Sequence, residues 1–295
     1  MDAGLAMKIE GYWLASGILG VTASIMKRVI RSGADAVVTK SIGPSPRIGH
    51  SGPILVSARG GLVNAVGLTN PGIDAFVEEV KMLKEDDIPV ILSVFGNSPE
   101  EIGNVVTKGL DGKPDAFELN LSCPHAEIGL IAHSPELTYK YVHTVRDLTD
   151  LPIFAKITPN ASDIVEVGLA AEKAGADAVV AINTLRGMRI DIYQHRPVLG
   201  NLVGGYSGPP ILPVAIRCVY DLYNALDIPI IGVGGISTWQ DAIEMHMAGA
   251  SAIQIGSAVL GGMDVFASIK RGVLKFTKEK GFSLPSELVG LAGRR

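Results

Sequence analysis

The chain has 295 residues, 47% of them hydrophobic and 35 of them glycine, enough to bury a large core as one α/β domain or as two smaller ones. A formal charge of −4 offers no basic footprint for nucleic acid or for an anionic membrane surface, which argues against those partners. Two cysteines, Cys123 and Cys218, cannot build a disulfide framework or a four-thiolate iron–sulfur site, and neither a secretory leader nor an apolar span of ~20 residues is seen, so a reducing cytoplasm is the expected setting.

In chain order, short apolar runs that read as strands fall near 13–18, 35–39, 89–94, 116–122, 152–157, 177–182, 229–233 and 252–256, with helical patterns between them. The segment GADAVV occurs at 33–38 and again at 175–180, and GASAIQIG at 249–256 is a degenerate third copy. In each the glycine suits the left-handed end of a helix, and the apolar run after it suits a strand buried on both faces of a parallel sheet. Eight such units point to a (β/α)₈ TIM barrel, with a doubly wound open sheet as the alternative. One domain covering 1–295 is expected. The connections 41–71 and 183–210 are too long for simple turns and are expected to cover the C-terminal mouth of the barrel.

A barrel of this type carries its chemistry on the loops that follow the C-terminal strand ends. The polar residues at those ends are Ser16 and Gly17, Lys40 and Ser41, Asn120 and Cys123, Lys156, Asn183 and Thr184, Gly234 and Gly235, and Gly256 and Ser257. The glycines of GVGG (232–235) and IGSA (255–258) follow the seventh and eighth strands, where backbone N–H groups commonly hold a phosphate, although glycines there also serve tight turns. Lys40 and Lys156 each end an apolar strand, where a desolvated ammonium needs an anionic or electron-rich partner; Lys156 alone also fits a Schiff-base lysine. The stretch FELNLSCPHAE, 117–127, begins by alternating apolar and polar residues and breaks at Cys123 and the following proline. That places the Cys123 thiol at a loop where it can exchange protons. Cys218, inside the amphipathic pattern 211–226, reads as a core residue.

Taken together, NLSCPH, FAKITPN, INTLRGMRID, GGYSGP, GVGGIS and GASAIQIGSA resemble the class I dihydroorotate dehydrogenases over about 14–260, and NTLRGMRID with GGYSGPPILPVAIR most resembles the NAD-linked B type. The resemblance implies a single FMN-binding barrel that oxidises dihydroorotate to orotate in pyrimidine synthesis. It gives Cys123 the role of catalytic base, and it places Lys40, Asn64, Ala65, Val66, Gly67, Leu68, Asn120, Asn183 and Thr184 at the substrate. Ser16, Lys40, Ser41, Asn120, Lys156, Ile182, Gly208, Gly234, Gly235, Gly256 and Ser257 are placed at FMN, and no metal is implied. It further implies a homodimer docked to an FAD and iron–sulfur subunit that passes electrons to NAD, with direct turnover by a soluble acceptor such as fumarate as the alternative.

Two residues depart from the pattern. His125 stands where these enzymes usually carry asparagine, and SCPH also occurs in the flavin domain of dihydropyrimidine dehydrogenase, so a uracil-like substrate is the alternative. Ser93 replaces an asparagine that the B type often uses near FMN. A phosphate-binding lyase using Lys156, and a non-catalytic binding subunit, are the readings from other classes.

Overall fold

The structure, a computed structural model, describes residues 7–121 and 134–293. Eight parallel strands close into a barrel: β1 (Gly11–Leu14), β2 (Ala36–Val38), β3 (Val90–Val94), β4 (Ala116–Asn120), β5 (Ile153–Ile157), β6 (Ala178–Ala181), β7 (Ile230–Val233) and β8 (Ala250–Ile255). Each is followed by a helix: α1 (Ala23–Arg31), α2 (Ile73–Lys84), α3 (Pro99–Gly109), α4 (Pro135–Arg146), α5 (Ile164–Lys173), α6 (Leu212–Ala225), α7 (Trp239–Ala248) and α8 (Val265–Glu279). The circuit runs β1-β8-β7-β6-β5-β4-β3-β2 and back to β1. The expected barrel is therefore present and the open sheet is not.

Alternation along the strands divides the apolar residues between two cores. Leu14, Val37, Leu92, Phe117, Leu119 and Val179 face the helices, whereas Trp13, Val38, Ile91, Phe154, Val180 and Ile231 fill the barrel itself. Trp13 and Phe154 stack across the interior with ring centroids 5.9 Å apart, and truncating either would cost about 3–5 kcal/mol through lost burial and the cavity left behind.

The repeated glycines are explained by backbone geometry. Gly33 and Gly175 hold φ at +108° and +95° where helix turns into strand, a region that a side chain makes costly. One boundary differs from expectation. The first strand spans Gly11–Leu14 instead of 13–18, because the Ala15 N–H makes a last hydrogen bond to Ile255 O and Gly17, at φ +86°, turns the chain away.

The two long connections cover the mouth together. Leu55–Ala58 and Gly61–Asn64 from the first, and Leu185–Gly187 and Gly204–Ser207 from the second, form one antiparallel four-stranded sheet in the order Leu185–Gly187, Gly204–Ser207, Gly61–Asn64, Leu55–Ala58. This lid sheet carries Ile54, Leu55, Met188, Ile190 and Tyr193 exposed on or beside it.

Near the N-terminal end of β1, buried His246 of α7 ties helix to strand. Its Nδ1 lies 2.7 Å from Ala250 O, which can only accept, so Nδ1 carries the proton and the Tyr12 hydroxyl donates to Nε2 at 3.1 Å. Among the described residues, no helix is long and apolar enough to cross a membrane.

Candidate active site

The inward faces of neighbouring strands bring charge into the mouth. Register pairs Ser93 with Glu118 and Asn120 with Lys156, so β3, β4 and β5 present these four side chains side by side. Glu118 is fully buried and Lys156 is 4% exposed. The Lys156 ammonium donates to Ser16 Oγ at 2.9 Å, to Gln254 Oε1 at 3.3 Å and to Glu118 Oε1 at 3.5 Å. Glu118 in turn accepts from Ser93 Oγ at 3.2 Å and, at Oε2, from Gln254 Nε2 at 2.7 Å. A buried charge pair with every donor engaged is tolerable in a core where either charge alone would be costly.

A chain of amides and hydroxyls continues from this pair across the mouth. Ser93 Oγ shares a 3.0 Å hydrogen bond with Ser41 Oγ, and Asn120 Nδ2 donates to Ser41 Oγ at 3.0 Å. Asn183 Nδ2 donates to Asn120 Oδ1 at 3.4 Å, and Asn183 Oδ1 accepts the Thr184 N–H at 2.7 Å. Ser16, Ser41, Asn120, Lys156, Asn183 and Thr184, expected together, therefore belong to one hydrogen-bonded network.

The lid completes the wall. Asn64 Nδ2 donates to Gly205 O at 3.1 Å, joining the two long connections, and a side chain on Gly205 would strike Thr184 Oγ1 at 2.1 Å. The segment 64–68 (Asn64, Ala65, Val66, Gly67, Leu68) is held against His50, whose N–H donates to Val66 O and whose Nδ1 lies 3.1 Å from Ala65 O. Lys40 differs from Lys156. Its side chain is 9% exposed and has no hydrogen-bond or ion-pair partner among the described residues, and burial pushes its ammonium below the usual lysine range.

The remaining expected residues gather at β6, β7 and β8. A side chain on Gly234 would meet Ile182 Cγ1 at 3.3 Å and Ala215 Cβ at 3.0 Å, and one on Gly235 would meet Leu212 N at 2.7 Å, so backbone there packs against the turn that starts at Gly208. Gly256, by contrast, has space beside it, with only Ala15 Cβ near at 3.7 Å. The N–H groups of Gly235, Gly256 and Ser257 donate to no other group among the described residues, so they are open to an anionic acceptor.

These features fit FMN, the group the family resemblance implies. A flavin mononucleotide needs N–H donors at its phosphate and amide, hydroxyl and cationic donors at its pyrimidine edge, and the mouth offers both. Cys123 and His125, on which the base and substrate questions turn, lie outside the described residues. Leu121, the last described residue before them, donates its N–H to Lys156 O at 3.2 Å.

Sequence reading missed Glu118 and Gln254 as members of the site and gave Ser93 too small a part. Glu118 stood in an alternating pattern that does not say which face is buried, and here its face is the interior of the barrel. The signal available was a charged residue flanked by Phe117 and Leu119 in a strand of a closed barrel. Cys218 is fully buried on α6, as expected, and burial raises its thiol pKa.

Comparison with known proteins agrees with this architecture. Residues 9–276 match the family model described as dihydroorotate dehydrogenase. A Pyrococcus abyssi protein named dihydroorotate dehydrogenase B (NAD(+)), catalytic subunit, is 55% identical over 282 residues, covering 95% of this chain and 94% of that protein. Its namesakes from Pyrococcus furiosus and Methanosarcina mazei are 56% and 51% identical, each over 95% of this chain and over 93% and 90% of their own lengths. A crystal structure of DHODH from Eimeria tenella in complex with ferulenol superposes with a TM-score of 0.83 over 96% of this chain and 85% of that one, at 21% identity, a likeness of fold. With a matching family model along most of its length and relatives above half identity, this chain belongs to the dihydroorotate dehydrogenase family.

Proposed function

We propose that this chain is the catalytic, FMN-carrying component of a B-type dihydroorotate dehydrogenase, oxidising (S)-dihydroorotate to orotate in de novo pyrimidine biosynthesis. The observation that carries the reading is the continuous network from Asn183 through Asn120, Ser41 and Ser93 to the buried Glu118–Lys156 pair, framed by both lids. Amides offer donors and acceptors together, which suits a ring bearing both. The barrel and its lids, 1–295, act as one FMN-binding domain in this reading.

When bound, FMN supplies two-electron acceptance. Asn64, Asn120, Asn183 and Thr184, with the backbone of 65–68, orient the dihydropyrimidine ring. Lys40, an ammonium without an acidic partner among the described residues, pairs with the substrate carboxylate and touches the flavin. Cys123 removes the C5 proton; a thiol of ordinary pKa ~8.5 needs little adjustment for that task near neutrality. Ser16, Ser41, Asn120, Lys156 and Ile182 hold the flavin ring, while Gly208, Gly234, Gly235, Gly256 and Ser257 hold the phosphate end. The lyase reading loses support, because Lys156 is ion-paired with Glu118 where a Schiff base requires a free neutral amine.

The electrons then leave through a partner. The two cysteines of the sequence are too few for a four-thiolate cluster relay, and the relatives are named catalytic subunits. In this reading the chain works in the cytoplasm as a homodimer docked to an FAD and iron–sulfur subunit. The test is anaerobic mixing of the FMN-loaded protein with dihydroorotate or dihydrouracil. Bleaching of the flavin absorbance by dihydroorotate alone is expected; bleaching by dihydrouracil alone would move the substrate to the uracil class.

A further inference from the structure

Lys156 and Lys40 end adjacent parts of the same mouth, yet their electrostatic situations are opposite. Lys156 has a fully buried carboxylate 3.5 Å away and two further acceptors, whereas Lys40 has none among the described residues. Gln254 makes the Lys156 arrangement directional. Its Nε2 is committed to Glu118 Oε2 at 2.7 Å, which turns its Oε1 towards Lys156 Nζ. Ser93 fixes the other carboxylate oxygen. Glu118 is thus held at both carboxylate oxygens, by Ser93 at Oε1 and by Gln254 at Oε2, at the level of the barrel where Lys156 emerges.

We propose that Glu118 is a positioning residue that fixes the Lys156 ammonium through Gln254 and cancels its charge, leaving Lys40 as the strand-end cation that is uncompensated among the described residues. The inference rests on the reading that Lys156 lies against FMN. A pair so close is seen from the flavin as a dipole more than as a cation, because the two opposite charges largely offset each other at longer range. The positive charge that favours an anionic reduced flavin and an anionic substrate then comes from Lys40. The Ser93 that stands in place of the family's asparagine takes a place in this arrangement by donating to Glu118.

Four proteins test it: wild type, Glu118→Gln, Lys156→Met and the double variant. In the FMN-free protein each single change leaves one buried charge unpaired and lowers the unfolding midpoint, and the double variant recovers more than half of the summed loss. Strictly additive losses would overturn the proposal. In the FMN-loaded protein the flavin midpoint potential shifts negative in Lys156→Met, positive in Glu118→Gln and returns towards wild type in the double variant, a pattern that simple loss of packing does not produce. A double variant as negative as Lys156→Met would show that Glu118 does not offset the lysine. Should either single variant fail to fold, the FMN-free double variant alone decides: an unfolding midpoint no lower than that of wild type bears the proposal out, because a buried pair replaced on both sides leaves no unpaired charge, and a lower midpoint refutes it. Wild type that binds no FMN would refute the functional reading, while the FMN-free stability cycle would still judge the Glu118–Lys156 coupling.

Discussion

Replacing Lys40 by methionine should stabilise the fold while damaging the enzyme. The side chain is 9% exposed, has no partner among the described residues, and has its ammonium pushed down by burial. A group with a depressed folded pKa that is charged at neutral pH binds its proton less tightly folded than unfolded, so its contribution opposes folding below the folded pKa and fades as pH rises towards the ordinary lysine value. Methionine keeps most of the apolar stem and removes the desolvated charge, a gain of about 1–2 kcal/mol, the usual yield when an active-site compromise is relieved. For a chain of this size that is a rise of roughly 2–6 °C in the unfolding midpoint. The same change removes a charge-assisted hydrogen bond to the substrate carboxylate, about 1.5–3 kcal/mol, or roughly 10- to 150-fold in the dissociation constant for orotate. Differential scanning fluorimetry of the FMN-free protein, at pH 7 and pH 10, and orotate titration of the FMN-loaded protein read the two effects. The stabilisation should shrink at pH 10. A lower midpoint at pH 7, or an unchanged orotate affinity, would refute the reasoning that Lys40 is an unpaired cation kept for its ligand.

Other outcomes follow from the same geometry. Cys123→Ser should retain FMN yet slow dihydroorotate-dependent flavin reduction by about 10²–10⁴-fold near neutral pH, measured by anaerobic stopped flow, since a serine hydroxyl is a far weaker base. Stability should fall on both flanks of pH. His246, whose folded pKa is lowered by burial, gives stability that is present above pH ~6.5 and lost as pH falls below it; Tyr12, raised by burial and by nearby Asp35, gives stability lost as pH rises above ~10. Tyr12→Phe leaves His246 Nε2 without its donor and should cost about 1–3 kcal/mol in urea unfolding at neutral pH. The isolated chain should be reduced by dihydroorotate but reduce NAD negligibly until an FAD and iron–sulfur subunit is added, and rapid NADH formation by the chain alone would defeat the partner assignment.

Much of this protein was legible in its residues. The eight strands announced themselves because parallel strands buried on both faces are continuous apolar runs, and GADAVV marked the same helix-to-strand turn twice because a left-handed backbone favours glycine wherever it recurs. Ser16, Ser41, Asn120, Lys156 and Asn183 could be collected from strand ends alone, since a barrel places all its strand ends at one mouth. Their mutual contacts could not. That Asn120 stands beside Lys156 depends on the register of β4 against β5, and that Gln254 reaches Lys156, 98 residues away, depends on the closure of the barrel. Alternation in a strand says which residues share a face but not which face is wet, so the pattern of 117–122 did not tell that Glu118 is fully buried. The two long connections likewise revealed their length but not that they pair with each other, because lid strands rich in glycine carry little periodicity and take their partners from the ends the barrel brings together.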